Sequence, residues 1–299
     1  MSFAYVLRRL EIPCVLAVHA KLNDRPLGRR GSNLVRSALE LLQGAYAVSE
    51  PVMTSFQALY EGLLPTDASL SVIHNGIDLS RFSPDPTVRS EARRELMLDD
   101  QHRVVVFCGR LDAMKRPGLA LEIFSALHAR QPMTRLLIVG DGPEMASLRA
   151  EIARLGIEDA IRVLGHVSNP ARYFAAGDCY LSTSNNQEGF SLTVAEALAT
   201  GLVAVVPQDD VFTAVYGRSS AVRRVEPERV EEMAAALEEL LSLETSERMR
   251  LGLEGRAFVQ AELSLEIMNL RLASFYVSVE ERLRSKVSAG ESSHGALSR

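Results

Sequence analysis

The stretch RVVVFCGRLDAMKR, residues 103–116, is apolar through five consecutive positions and turns polar at Gly109. Five apolar residues without alternation suit a strand covered on both faces, as in a parallel sheet. Pro117 follows and suits the first position of a helix. Strand, loop and helix in that order place residues 109–116 beyond the carboxyl end of a central strand, where open α/β sheets bind ligands.

The same alternation extends in both directions. Residues 136–140 (LLIVG), 161–167 (IRVLGHV), 179–183 (CYLST) and 203–207 (VAVVP) read as further strands. Helical patterns fall between them, one starting at Pro143 and others at 170–176 and 191–200. Amphipathic helices follow at 227–242 and 263–285. Together they predict a doubly wound α/β domain. Upstream, 14–19, 46–49 and 70–76 read as strands, with helices at 32–43 and 50–62. The segment NGIDLSRFSPDPT carries Pro84 and Pro86, and its composition places a linker near 77–88.

The whole chain sets outer bounds. Its 299 residues, 47% of them hydrophobic, allow about two domains. A net charge of −5 does not advertise nucleic-acid binding. The opening MSFAYVLRRLEIPCVLAVHA is interrupted by Arg8, Arg9 and Glu11, unlike a signal peptide, and no run approaches the roughly 18 apolar residues of a spanning helix. A location in the cytoplasm, or peripheral to the membrane, is expected. Cys14, Cys108 and Cys179 each sit in an apolar run without metal-site spacing, and read as reduced core thiols.

Three strand-to-helix loops carry residues suited to chemistry. In the first, Gly109 admits close backbone approach, and Arg110 and Lys115 offer a fork and a point charge to a diphosphate; two solvated cations fit the same spacing. The second, GDGPE at 140–144, is a Gly-rich turn whose N–H groups point above the sheet. The third, NNQEGFSLTVAEALATG at 185–201, holds Glu188 and Glu196 eight positions apart. Backbone N–H groups near Gly189, Phe190, Ser191 and Leu192 could hold a phosphate at a helix start. Eight residues span about 12 Å of helix, comparable to a nucleotide diphosphate. Thr193-Val-Ala-Glu196 also fits a capping box, which would give Glu196 a purely local task. His19 ends the strand at 14–19 in the first domain, in an analogous position.

These pieces resemble the family 4 glycosyltransferases, retaining enzymes of the GT-B fold. The resemblance rests on VSEPVMTSF, VIHNGIDLSRFSPD, VVVFCGRLDAMKRPGLALEIF, LLIVGDGPE, RVLGHV and EGFSLTVAEALATG, in that order, from about residue 12 to 206. It implies transfer of a hexose-type sugar from a nucleotide-diphosphate-sugar to an acceptor hydroxyl, with retention, and with no metal and no cofactor. The acceptor class (glycan, lipid or small molecule) stays open. The resemblance implies that Arg110 and Lys115 neutralise the diphosphate and that Glu188 faces the donor sugar. It further implies that Gly189, Phe190 and Ser191 hold phosphate and sugar by their backbone, that Glu196 takes the ribose hydroxyls, and that His19 approaches the sugar from the first domain.

Two departures from the family pattern bear on this. The strand and Gly-rich loop that usually open the first domain, about 80 residues by domain size, are not in this sequence. After VAVVP, a paired-glycine loop with a glutamate is replaced by QDDVFTAVYGRSS. The expected organisation is a truncated Rossmann-like domain at 1–78, a nucleotide-sugar-binding domain at 79–262, a helix at 263–287 crossing back to the first domain, and a disordered tail at 288–299. A nucleotide-sugar-binding remnant or subunit, completed by self-association or a partner chain, is the alternative; the two spaced glutamates with Arg110 and Lys115 argue against an epimerase or phosphorylase.

Overall fold

The computed structural model describes residues 13–22, 35–36, 38–185, 187–226 and 228–295, with side chains as far as 285. The chain forms two compact units, one of residues up to His74 together with Glu266 onward, the other Asn75–Leu265.

In the first unit, β1 (Cys14–Val18), β2 (Leu42–Ala47) and β3 (Ser69–Val72) form a parallel sheet in the order β1-β2-β3. Helix α1 (Glu50–Leu59) has Pro51 in its first turn and buries Val52, Met53 and Phe56 against this sheet. The expected strand at 46–49 begins earlier, at Leu42, where a helix was expected to run to 43. The start of that expected helix, at 32–34, lies outside the described residues. The long helix α10 (Leu265–Gly295) packs Phe275 and Val279 on Ile73, and the Phe275 ring meets Tyr46 edge-on at 5.6 Å. Its helical backbone continues into the stretch expected to be a disordered tail. Ser and Gly lower helix propensity there, but extending a helix needs no new nucleus.

In the second unit, six parallel strands run in the order β6-β5-β4-β7-β8-β9. They are β4 (Arg103–Cys108), β5 (Thr134–Val139), β6 (Ile161–Gly165), β7 (Cys179–Leu181), β8 (Val203–Pro207) and β9 (Val222–Val225). Counted within the unit, this is the dinucleotide-fold order 3-2-1-4-5-6, which reverses between β4 and β7. Residues 104–107 and all of β7 are buried, as expected for strands covered on both faces.

The helices of this unit are α2 (Pro86–Glu95), α3 (Pro117–Arg130), α4 (Met145–Leu155), α5 (Ala171–Ala176), α6 (Leu192–Ala199), α7 (Asp210–Tyr216), α8 (Val230–Ser242) and α9 (Thr245–Glu262). Helix α2 lies partly where a linker was expected. Pro86 occupies its first turn, and the Asp85 carboxylate caps it by accepting from Thr87 N and Val88 N. Helix α4 begins at Met145, two residues after Pro143. Among the described residues no helix is long and apolar enough to cross a membrane.

Helix α9 fixes the height of α6. A Cβ on Gly252 would lie 1.9 Å from the Gly201 carbonyl oxygen, so the two backbones touch, and Gly201 itself is at φ +85°. Arg256, one turn on, donates to the Ala199 carbonyl at the end of α6 and to Phe82 O at 2.8 Å. Gly252→Ala must push α9 off α6, and is expected to cost roughly 1–3 kcal/mol, as overpacking does. The thermal unfolding midpoint reads this; an unchanged midpoint would contradict the close approach.

Candidate functional site

The loops after β4, β5 and β7 meet above the sheet reversal. Gly109 leaves β4 at φ +152°. Gly140 leaves β5 at φ +141°, and a Cβ there would lie 1.8 Å from Gly109 O. Only glycine permits that backbone contact. Leu111 N then donates to Asp141 O at 3.0 Å, and Glu144 N to Leu111 O at 3.0 Å, stitching the first two loops together.

Asp112 folds the first loop back on itself. Its Oδ1 accepts from Met114 N and Lys115 N, both at 3.1 Å, and its Oδ2 lies 3.3 Å from Arg110 Nε. The third loop is tied on from β7. Thr183 Oγ1 donates toward Lys115 O at 2.8 Å and Arg116 O at 3.0 Å, and Asn185 N donates to Met114 O at 2.9 Å. These contacts deliver Lys115 Nζ to Glu188 Oε2 at 2.6 Å, with side chains only 12% and 11% exposed. Arg110 is not drawn into this pair. Its side chain is 73% exposed and flanks a cleft of about 320 Å³ whose other walls include Gly109, Gly140, Asp141 and His166.

Two buried tyrosines hold the start of α6. Tyr180 OH lies 3.1 Å from Cys108 O and 2.8 Å from Thr193 Oγ1, joining the end of β4 to the first turn of α6. Tyr216 OH lies 3.0 Å from Phe190 O and 2.7 Å from Ser191 O. Burial pushes both phenols well above the usual tyrosine range, so they stay neutral donors. Ser191 is thereby held at φ +64°, which a non-glycine residue rarely adopts, and its buried Oγ has no hydrogen-bond partner among the described residues.

The capping-box reading of Thr193 and Glu196 is corrected by this geometry. Helix α6 begins at Leu192 with Ser191 as its cap residue, so Glu196 lies past the first turn, while Thr193 Oγ1 meets Tyr180. The Glu196 carboxylate makes neither a hydrogen bond nor an ion pair among the described residues. Burial pushes it up to about 7, with Arg81 and then Lys115 pulling it back. Leu192 is half-exposed, whereas Phe190 is buried under the loop. His19 is exposed just past β1 in the first unit. The constellation described above comes from the second unit alone.

The remaining sequence candidates resolve into structure. Cys108 and Cys179 are buried free thiols, and Cys14 is half-buried. Burial pushes Cys108 up to about 12 and Cys179 higher, which removes both as nucleophiles. Among the described residues no group of three His, Cys, Asp or Glu side chains is placed to hold a metal ion. Asp112, Thr183, Tyr180 and Tyr216 escape sequence reasoning. Asp112 alone carried a local signal, an acidic residue at the head of a turn.

Comparison with known proteins gives a consistent assignment. Residues 88–258 match the model of the family described as glycosyl transferases group 1. The D-inositol 3-phosphate glycosyltransferase of Thermobispora bispora is 30% identical over 236 residues, covering 75% of this chain and 54% of that protein. The GDP-mannose-dependent alpha-(1-6)-phosphatidylinositol monomannoside mannosyltransferase of Mycobacterium tuberculosis is 26% identical, covering 70% of this chain and 56% of that one. The chain thus spans about half the length of the curated relatives it matches. Anabaena HepE in complex with UDP superposes with a TM-score of 0.81 at 20% identity, covering 92% of this chain and 75% of that one. The fold is that of the GT-B glycosyltransferases, with a parallel sheet in each unit.

Glu196 gives the site a pH signature. Its carboxyl rises from 4.5 to about 7 on folding. Between those values the folded chain holds a proton that the unfolded chain has released, so stability falls as pH rises through the window. Glu196→Gln removes this slope. The variant should gain on the parent by on the order of 3 kcal/mol between about pH 4.5 and 7.5, by denaturant titration. Parallel stability curves for the two proteins would show that the carboxylate is not buried.

Proposed function

The chain belongs to the group 1 glycosyl transferases, and from that premise we propose that it transfers a hexose-type sugar from a nucleotide-diphosphate-sugar to an acceptor hydroxyl, with retention at the anomeric carbon. The observation that carries the reading is the Lys115–Glu188 pair at 2.6 Å over the sheet reversal, with Glu196, unpaired among the described residues, on helix α6 that follows Glu188. In this reading Lys115 leaves Glu188 for the incoming diphosphate. Arg110, exposed and hinged on Asp112, swings over the same phosphates. Backbone N–H groups at Gly189, Phe190, Ser191 and Leu192 hold phosphate and sugar at the start of α6. Glu196 accepts from the ribose hydroxyls, and His19 is assigned to the sugar on the strength of the family resemblance.

The chemistry follows from charge. The sugar C1–O bond to phosphate breaks, and negative charge grows on the departing diphosphate. Lys115, held in a poorly solvated loop, and Arg110, which closes over from the exposed edge, stabilise that charge. Freed from Lys115, Glu188 is an anion beside a sugar ring that becomes electron-poor as the bond lengthens. Retention is assigned to attack by the acceptor from the leaving-group face, with the departing phosphate oxygen taking the acceptor's proton. The proposed reaction needs neither a metal ion nor a cofactor.

A second reading is a nucleotide-sugar-binding subunit completed by a partner chain. It is favoured by β1, which among the described residues is an edge strand of the first unit's sheet and exposes Val15 and Leu16. Turnover by the isolated chain separates the two readings.

Glu188→Ala should abolish transfer while a nucleoside diphosphate still binds, because in this reading Glu188 faces the sugar and Lys115, Arg110 and the backbone of residues 189–192 hold the diphosphate. Glu196→Ala should weaken nucleotide binding by about 1.5–3 kcal/mol, the loss expected for charge-assisted hydrogen bonds. Calorimetry with UDP, GDP and ADP alongside a transfer assay measures both. Full turnover in Glu188→Ala, or an unchanged dissociation constant in Glu196→Ala, would reject the corresponding role.

A further inference from the structure

A second cavity, of about 270 Å³, lies at the opposite end of the six-stranded sheet from these loops. It sits where Asp178 leads into β7 and Leu202 leads toward β8, between the start of α2, the ends of α5 and α6, and α9. Its walls are mostly apolar, with Pro84, Pro86, Leu202, Met249 and Leu253 among them. Met249 and Leu253 are 62% and 57% exposed at its rim.

On the lining Arg89 and Arg248 are matched by Asp85 and Asp178, and Arg93, which shares Asp178 from behind the wall, leaves the cluster with one net positive charge. Asp178, 7% exposed, is the shared partner of three guanidinium groups: Arg89 at 2.8 Å, Arg93 at 3.4 Å and Arg248 at 3.7 Å. It also accepts from Val104 N at 2.8 Å. Burial pulls Arg93 and Arg248 below the usual arginine range, so one carboxylate does not offset the desolvation of its partners. Arg89 and Arg248 both line the cavity. Their Nη groups are committed to Asp178 and to backbone carbonyls, those of Ala175 and Gly177 for Arg89 and those of Leu241 and Leu243 for Arg248. The Nε of each is without a partner among the described residues. Asp85, the other carboxylate on the lining, caps α2 through Thr87 N and Val88 N.

We propose that this cavity is a second ligand site and that it binds a small amphipathic carboxylate. The carboxylate meets Arg89 and Arg248, and its apolar chain lies against Leu202, Met249 and Leu253. Size sets the chain length. A cavity of about 150 Å³ takes benzene, so 270 Å³ takes roughly ten non-hydrogen atoms. The charge excess selects an anion over a neutral amphipath, and the apolar walls select against a fully hydrated oxyanion such as phosphate. The cavity also borders the donor machinery. Thr200, on its wall, donates from Oγ1 to Glu196 O at 2.8 Å at the end of α6.

Octanoate, 1-octanol and inorganic phosphate serve as probes, titrated by calorimetry into the full chain. Octanoate should bind saturably at one per chain, at least tenfold more tightly than either of the others. Arg89→Gln and Leu253→Glu should each weaken octanoate at least tenfold. Both positions are solvent-accessible, with side-chain exposure of 37% for Arg89, and an unchanged unfolding midpoint checks that each variant folds. No saturable octanoate binding, octanol or phosphate binding as tightly as octanoate, or octanoate affinity untouched by both substitutions would each overturn the proposal.

Discussion

At the reversal of the six-stranded sheet, Lys115 and Glu188 meet at 2.6 Å with about a tenth of each side chain open to solvent. A pair so placed holds itself in position. Removing either partner strands a poorly solvated charge, which costs far more than the pair gains over water. The pair joins residues 73 positions apart, so the loops after β4 and β7 must be built to the same point. Most of the surrounding structure can be understood as meeting that demand. Asp112 turns the first loop back, Thr183 and Asn185 lash the third loop to it, and Gly140 lets the second loop pass beneath.

The start of α6 meets a second demand, that of aiming backbone and carboxylate from a short helix. Eight residues offer little intrinsic helical stability. Tyr180 and Tyr216 hold the entry from below, and Gly252 and Arg256 of α9 hold the exit from behind. The strain of Ser191 at φ +64° and the burial of Glu196 persist because α6 is fixed at both ends. At the other end of the sheet, Asp178 gathers α2, α9 and β4 into one cluster of charges.

The sheet was legible in the sequence because residues 104–108 and 203–207 are short runs, apolar without alternation, rich in valine and bounded by glycine or proline, which together suit a covered parallel strand. Glu188, Glu196, Arg110 and Lys115 were legible as types at loop positions, but their pairing was not. Nothing local distinguishes Lys115 facing Glu188 from both facing solvent. Helix α2 was hidden by Pro84 and Pro86, since proline punctuates a linker and opens a helix with equal ease. Helix α9 was hidden by Gly252 and Gly255, which look like breakers in the chain and act as contact points in the fold. The Thr193–Glu196 spacing suggested a capping box because sequence does not reveal a non-glycine residue in the left-handed region at 191.

Donor binding as proposed requires one ligand to engage the loops after β4 and β7 together. Amide hydrogen exchange on the full chain, with and without UDP, GDP or ADP, tests it most directly. One of these nucleotides should slow exchange at residues 109–116 and at 189–193 in the same titration. Exchange unchanged by all three, or slowed in only one of the two loops, would contradict it.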